Sequence, residues 1–377
     1  MKPFRKRLAC RCVLWARTKS DRMAAKSRLT RSRVGWTVLF CIMGLSAHAE
    51  ALDLARSAGI SGSERLRMFA YGKLLETEAA PRAAAVQMRQ SLVRQGFYYE
   101  PGSRRIIATE AWAAPVLSYD GNINGGTLQD SFRFNGFEFE ADPAYRAKAG
   151  AVFGLSAGGV ARVAWAEGRY LEGLLRGDAV WSPQHSIGRN SVELGLCSRN
   201  HLRGWTFVDL CHTFAKNNRE LGSNTSLRTA LVLSQLFTTG QNHHEVSAEV
   251  ANTQYEAGAQ PAVTLSWGTA WNTAATRLSV TKAAGIKGEA ALNARVAADV
   301  QWVWDGRAIG IGLWHQTADG GTFLGSPRSD RASGLSLSYQ VSKGLTAQVG
   351  YMVNRSTADF FDYGLVTVNM RYDALRW

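Results

Sequence analysis

Ser333-Gly334-Leu335-Ser336-Leu337-Ser338-Tyr339-Gln340-Val341-Ser342-Lys343 alternates strictly between apolar and polar side chains. Leu335, Leu337, Tyr339 and Val341 fall on one face, and Ser336, Ser338, Gln340 and Ser342 on the other. A strand sends successive side chains to opposite faces, so this pattern is a strand with one greasy side. The next segment repeats it, with Leu345, Ala347, Val349, Tyr351 and Val353 set against Thr346, Gln348, Gly350 and Asn354. Leu292 to Trp304 and Val366 to Tyr372 follow the same rule.

Alternation alone also describes a half-buried soluble sheet. Three further features point to a transmembrane barrel. The runs are about ten residues long, the span of a tilted strand through a bilayer. Aromatics cluster near their ends, namely Trp181, Trp205, Trp267, Trp271, Trp302, Trp304, Trp314, Tyr351 and Tyr372, where indole and phenol rings would sit at headgroup level. Short turns at Ser342-Lys343-Gly344, Asp305-Gly306-Arg307, 272–275 and 201–204 alternate with longer connections at 355–362, 317–331, 284–290 and 215–226. Outer-membrane barrels segregate short periplasmic turns from longer external loops in this way. The expected fold is therefore all-β, a closed antiparallel barrel over residues 112–377. About 14 strands are expected, or 16 if 131–140 and 160–166 each form a separate strand.

The 377 residues carry a net charge of +14. Twelve Lys and Arg but a single acid, Asp21, lie within residues 1–49, leaving 32 basic against 29 acidic residues in the remainder. So nearly neutral a body lacks the field that nucleic-acid binding needs. Val34 to Leu45 is an apolar run too short to cross a bilayer, preceded by Lys26, Arg28, Arg31 and Arg33 and followed by Ser46-Ala47-His48-Ala49. That order is a secretory signal, with cleavage expected after Ala49 and Met23 as an alternative start. Residues 50–111 read as a short periplasmic helical segment. In it Ser63 caps a run carrying Leu66, Phe69, Ala70 and Leu74 on one face, Pro81 opens a second helix and Gly96 ends it.

Alternation assigns seven charged side chains to the lumen: Glu193, Asp209, Glu249, Arg277, Asp299, Arg371 and Asp373. Charges of both signs favour a wetted interior without a single-sign filter. Cys197 and Cys211 fall on the lumen face of adjacent strands, either as a disulfide or as two thiols a residue out of register. His243-His244-Glu245 is read as a solvated turn, because neighbouring strand residues diverge and cannot share a metal. No nucleophile elbow, zinc-protease helix or phosphate loop occurs, so neither an enzyme nor a cofactor is expected.

Ala114 to Gly126 contains Ser118, Tyr119, Asp120, Asn122, Ile123 and Asn124. This run, placed after a helical segment, resembles the first strand of the surface lipoprotein assembly modifier family. The likeness implies a 14-strand barrel that translocates a lipoprotein or secreted protein across the outer membrane. The repeat domain of that family is truncated here to the short helical segment. A general or weakly selective porin, and a structural or ligand-binding surface barrel, are the alternatives. Implied partners are outer-membrane lipid, the barrel-assembly machinery and a secreted client, with no nucleic acid.

Overall fold

A computed structural model describes Ser57 and residues 59–76, 82–102, 106–134 and 136–372. The presequence, Pro81 and Asp373 lie outside the described residues. Two helices come first, α1 (Glu64–Leu75) and α2 (Arg82–Arg94). Ser63 caps α1, its side chain accepting from the Leu66 amide at 3.1 Å. Gly96, at φ +74°, turns the chain away after α2.

The sixteen strands that follow are β1 (Ile106–Asp120), β2 (Ser131–Phe134), β3 (Phe137–Glu140), β4 (Gly150–Ala166), β5 (Arg169–Ser182), β6 (Ile187–Arg203), β7 (Thr206–Arg219), β8 (Gly222–Thr239), β9 (Asn242–Tyr255), β10 (Gly258–Ala270), β11 (Ala274–Ala283), β12 (Ala291–Trp304), β13 (Arg307–Phe323), β14 (Ser326–Ser342), β15 (Leu345–Ser356) and β16 (Tyr363–Tyr372). Fourteen of them close into one antiparallel barrel, β1 pairing with β4 on one side and with β16 on the other. Closure leaves no edge of unpaired backbone facing lipid.

The two counts offered by the sequence now separate. Residues 131–140 fold back on themselves as the β2–β3 hairpin, outside the barrel, and 160–166 is the end of β4. The first stave also starts at Ile106 rather than near Trp112. Two connections expected to be long external loops are not loops. Residues 215–226 and 317–331 continue as strand up to tight turns at Glu220-Leu221 and Leu324-Gly325. Staves of 10 to 18 residues result, and the longest exceed the ~9–11 residues that span a bilayer. They therefore carry the wall beyond the membrane on the side away from the start of β1 and the end of β16.

The outer wall is apolar. Leu117, Leu155, Leu196, Leu233, Leu265, Leu278, Leu313 and Leu337 are all exposed on it. Tyr119, Phe153, Trp181 and Tyr351 ring its loop-side end, and Trp165, Trp267, Trp304 and Tyr372 its turn-side end, each exposed. An exposed greasy belt between two aromatic rings on a closed barrel is a surface made for a bilayer, and the chain is an outer-membrane β-barrel. Two aromatics expected in those rings point elsewhere. Trp205 packs against the helices, and Trp314 lies under the Arg295 guanidinium, 4.6 Å from its ring centre.

Candidate functional site: a lumen closed along one arc

The helices lie inside the barrel at the turn-side end. Leu66, Met68, Phe69, Ala70, Tyr71 and Leu74 of α1 form one core with Phe207, Leu236 and Ala270 of the wall. Phe69 meets the Trp205 and His243 rings edge-on. Burial in this cluster raises the Tyr71 phenol above its ordinary range. His243 is therefore buried under the helix, whereas His244 lies beside Trp267 on the other face and bonds Thr269 at 2.9 Å. The expected solvated turn is instead the start of β9. Among the described residues no group of His, Cys, Asp or Glu could hold a metal ion.

Above this core an unbroken chain of opposite charges joins the helices to the wall. Five consecutive staves, β1, β4, β5, β6 and β7, contribute Glu110, Arg162, Glu172, Arg199 and Asp209. The helices contribute Glu64, Arg65 and Arg94. Arg65 holds Asp209 with two bonds of 2.7 and 2.8 Å. Asp209 also accepts from Arg199 at 2.8 Å, and Arg199 reaches Glu172 at 2.8 Å. Glu172 pairs with Arg162 at 2.8 Å, and Arg162 with Glu64 at 2.9 Å. Arg94 closes the series by contacting Glu64 at 3.4 Å and pairing with Glu110. Four acids and four bases alternate, so each charge is compensated. That matters because Asp209 is only 2% exposed and Arg162 8%, and an unpaired buried ion costs several kcal/mol.

Backbone register makes the series possible. Arg162 sits directly opposite Glu172, and Arg199 directly opposite Asp209. Cys197 and Cys211 are direct partners on the same two strands as Arg199 and Asp209, and they are joined as a disulfide.

The external end is narrowed by a loop that is anchored deep on the same side and reaches across at the rim, where Phe132 packs on Phe323 and Phe360 and Gln129 donates to the Asp362 carbonyl. Beyond Asp120 the chain turns into the mouth, and Ile123 is fully buried against the inward-facing Val152 and Val180, with Val116 and Ile187 beside them. Asp120 pairs with Arg189 at 2.9 Å. Asn124, also fully buried, donates to the Arg146 carbonyl at 2.8 Å and accepts from the Lys148 amide at 2.8 Å. Asn122 donates to the Gly126 carbonyl at 2.8 Å and accepts from Arg219 through its own carbonyl. At Gly126 a Cβ would come within 2.5 Å of the Tyr145 carbonyl, so only glycine fits where the loop crosses itself. The 118–124 run thus splits by role. Ser118 and Asp120 face inward, Tyr119 faces lipid, and Asn122 and Asn124 staple the inturned loop.

Four of the lumen residues, Asp209, Glu249, Arg277 and Asp299, line a cavity of about 630 Å³ above the α1 N-terminus. Glu249 pairs with Arg228 at 2.5 Å. Arg277 and Asp299 are direct register partners. Glu193 sits opposite Arg176, on the inward phase set by the exposed Leu194 and Leu196. Arg371 shares the inward phase of β16 but lies away from this cavity, beside Thr346. Glu64, Arg65, Arg94, Glu110, Arg162, Glu172 and Arg199 were not singled out from sequence. Only the strand register, which sets five charges of alternating sign on successive staves, could have found the wall members.

No family model matches the chain, and no curated protein matches it. Solved structures of other proteins are matched at low similarity. OpdK of Pseudomonas aeruginosa with vanillate is 12% identical, with a TM-score of 0.41, over 71% of this chain and 98% of its own. OccK9 (OpdG) of the same organism is 10% identical at a TM-score of 0.39, over 73% and 99%. OccAB4 of Acinetobacter baumannii is 6% identical at 0.38, over 74% and 100%. Likeness at this level carries nothing about what passes through this lumen.

Proposed function

We propose that the protein is a channel for small hydrophilic solutes across the outer membrane, and not an exporter of folded or unfolded proteins. One observation carries this reading. The contacts that dock the helices fall on β1 and β4–β10, so the constriction at the turn-side end narrows that arc, while the inturned loop, anchored on β4–β6 through Ile123 and Arg189, crosses at the outer rim to Phe323 at the tip of β13 and Phe360 between β15 and β16. Toward the turn side the arc formed by β12–β15 faces the lumen with small and polar side chains, among them Gly310, Gly312, Ser336, Ser338 and Gln348, below Trp314 and the Arg295 guanidinium that lies over it. A water-filled passage along that arc suits small solutes, with fixed charges of both signs giving little ionic preference. A protein client would need the helices to leave, against eight compensated charges and a buried apolar core.

Planar-bilayer recording of the purified barrel tests this. Steady unitary conductance is expected, and deletion of residues 57–96 should raise it roughly twofold or more by removing the narrowing at the turn-side end. A protein that is electrically silent, yet releases a client on reconstitution, would overturn the channel in favour of the exporter.

A further inference from the structure

We infer that the open arc is a binding track for uncharged polyhydroxylated solutes, meaning sugars and sugar alcohols; this rests on the channel reading above. The pairing register lines up one row of inward positions across five adjacent staves: Gly310 opposite Ser338, Ser338 opposite Gln348, Gln348 opposite Asn369, and Asn369 opposite Ser118. The row on its external side runs Gly312, Ser336, Gly350, Thr367 in the same way. On these staves neither row contains a charge, and the second row ends against Asp299 of β12, the register partner of Gly312. Among the described residues, the Gln348 and Asn369 carboxamides make no hydrogen bond and are exposed to the lumen, so their donors and acceptors are available. The Ser338, Ser336 and Thr367 hydroxyls lean over Gly310, Gly312 and Gly350, so the wall there is a low, hydroxyl-lined surface from which Gln348 and Asn369 stand out.

The chemistry of these groups selects the ligand. A hydroxyl or a carboxamide both donates and accepts, as does each hydroxyl of a sugar. Successive rows one residue pair apart let a solute exchange one set of bonds for the next while it moves. The charges of the opposite arc are committed to one another, and those nearest the rows, Asp299 opposite Gly312 and Arg371 two residues from Asn369, stand at the margins of the track.

The test is the block of ionic current by glucose in planar bilayers, compared with a poly(ethylene glycol) of equal hydrodynamic size. Glucose should reduce the KCl current saturably and beyond the effect of the polymer. The double variant Gln348→Ala/Asn369→Ala should need roughly tenfold more glucose for half-block, as two lost hydrogen bonds would dictate. The lipid-facing Leu337→Val should leave the block unchanged. If the double variant does not reach the folded, heat-modifiable form, the single Gln348→Leu serves, with a roughly threefold shift expected. Equal reduction by glucose and polymer, or a variant indistinguishable from the parent, overturns the track while leaving the channel intact. A protein that conducts no ions at all removes the channel reading, and the track falls with it.

Discussion

The two halves of the lumen wall are built from the same alternating pattern and do opposite work. On β1 and β4–β7 the inward positions carry Glu110, Arg162, Glu172, Arg199 and Asp209, which spend their charges on one another and on Glu64, Arg65 and Arg94. On β13–β15 the equivalent positions are largely glycine, serine, threonine and glutamine, and nothing from the helices is docked there by the contacts described. A barrel needs only an apolar outside to sit in the membrane, so its inner face is free to differ around the circumference. Charge marks where the lumen is filled, and neutrality marks where it is free.

Substitutions on the two arcs should therefore differ in kind. The largest effect is expected at Asp209. Asp209→Ala leaves Arg65 and Arg199 without their shared acid and should cost about 3–5 kcal/mol of helix docking. The measurement is protease cleavage between α1 and the barrel, which should become fast in the variant while the barrel keeps its heat-modifiable mobility. Unchanged protection would mean that the apolar core alone holds the helices.

Next comes the bond between Cys197 and Cys211. Closing a loop of this length is worth about 3 kcal/mol in the chain-entropy picture, less here because the hairpin is already paired. Cys197→Ser/Cys211→Ser should lower the denaturant midpoint without changing unitary conductance. A change in conductance would place the bond in the passage rather than in its filled side.

The smallest effect on stability, but a visible one on flow, is expected from a matched pair of aromatic insertions. Ser336→Phe on the open arc should cut the conductance to roughly half, since pore lining controls flow. Ser191→Phe, under the inturned loop beside Asp178, should scarcely alter it. If the two behave alike, the lumen is not divided in the way proposed.

Most of the barrel was legible because period-two alternation survives wherever one face meets lipid. The turns at Glu220-Leu221 and Leu324-Gly325 were missed for a physical reason. The staves run on past the bilayer, where neither face is obliged to be apolar, so the alternation fades before the strand does. Trp205 and Trp314 show the converse, since an aromatic near a strand end satisfies a ring position and a core position equally well on paper. The charge series was hidden by distance. Arg65 and Asp209 are 144 residues apart, and nothing local in Ser63 to Arg67 says that an acid waits across the lumen. Of the lumen residues that alternation supplies, Asp209, Glu249, Arg277 and Asp299 each stand next to an exposed apolar residue, Leu210, Val250, Leu278 and Val300.

The bond between Cys197 and Cys211 reaches beyond its own strength. A slip of one residue between β6 and β7 would turn one of the two sulfurs out toward lipid, so once the covalent link forms only a single alignment of that hairpin remains. The same alignment is the one that sets Arg199 against Asp209. An oxidised hairpin thus arrives at assembly already bearing the landing point for Arg65, and the order in which the other staves zip together cannot misplace it.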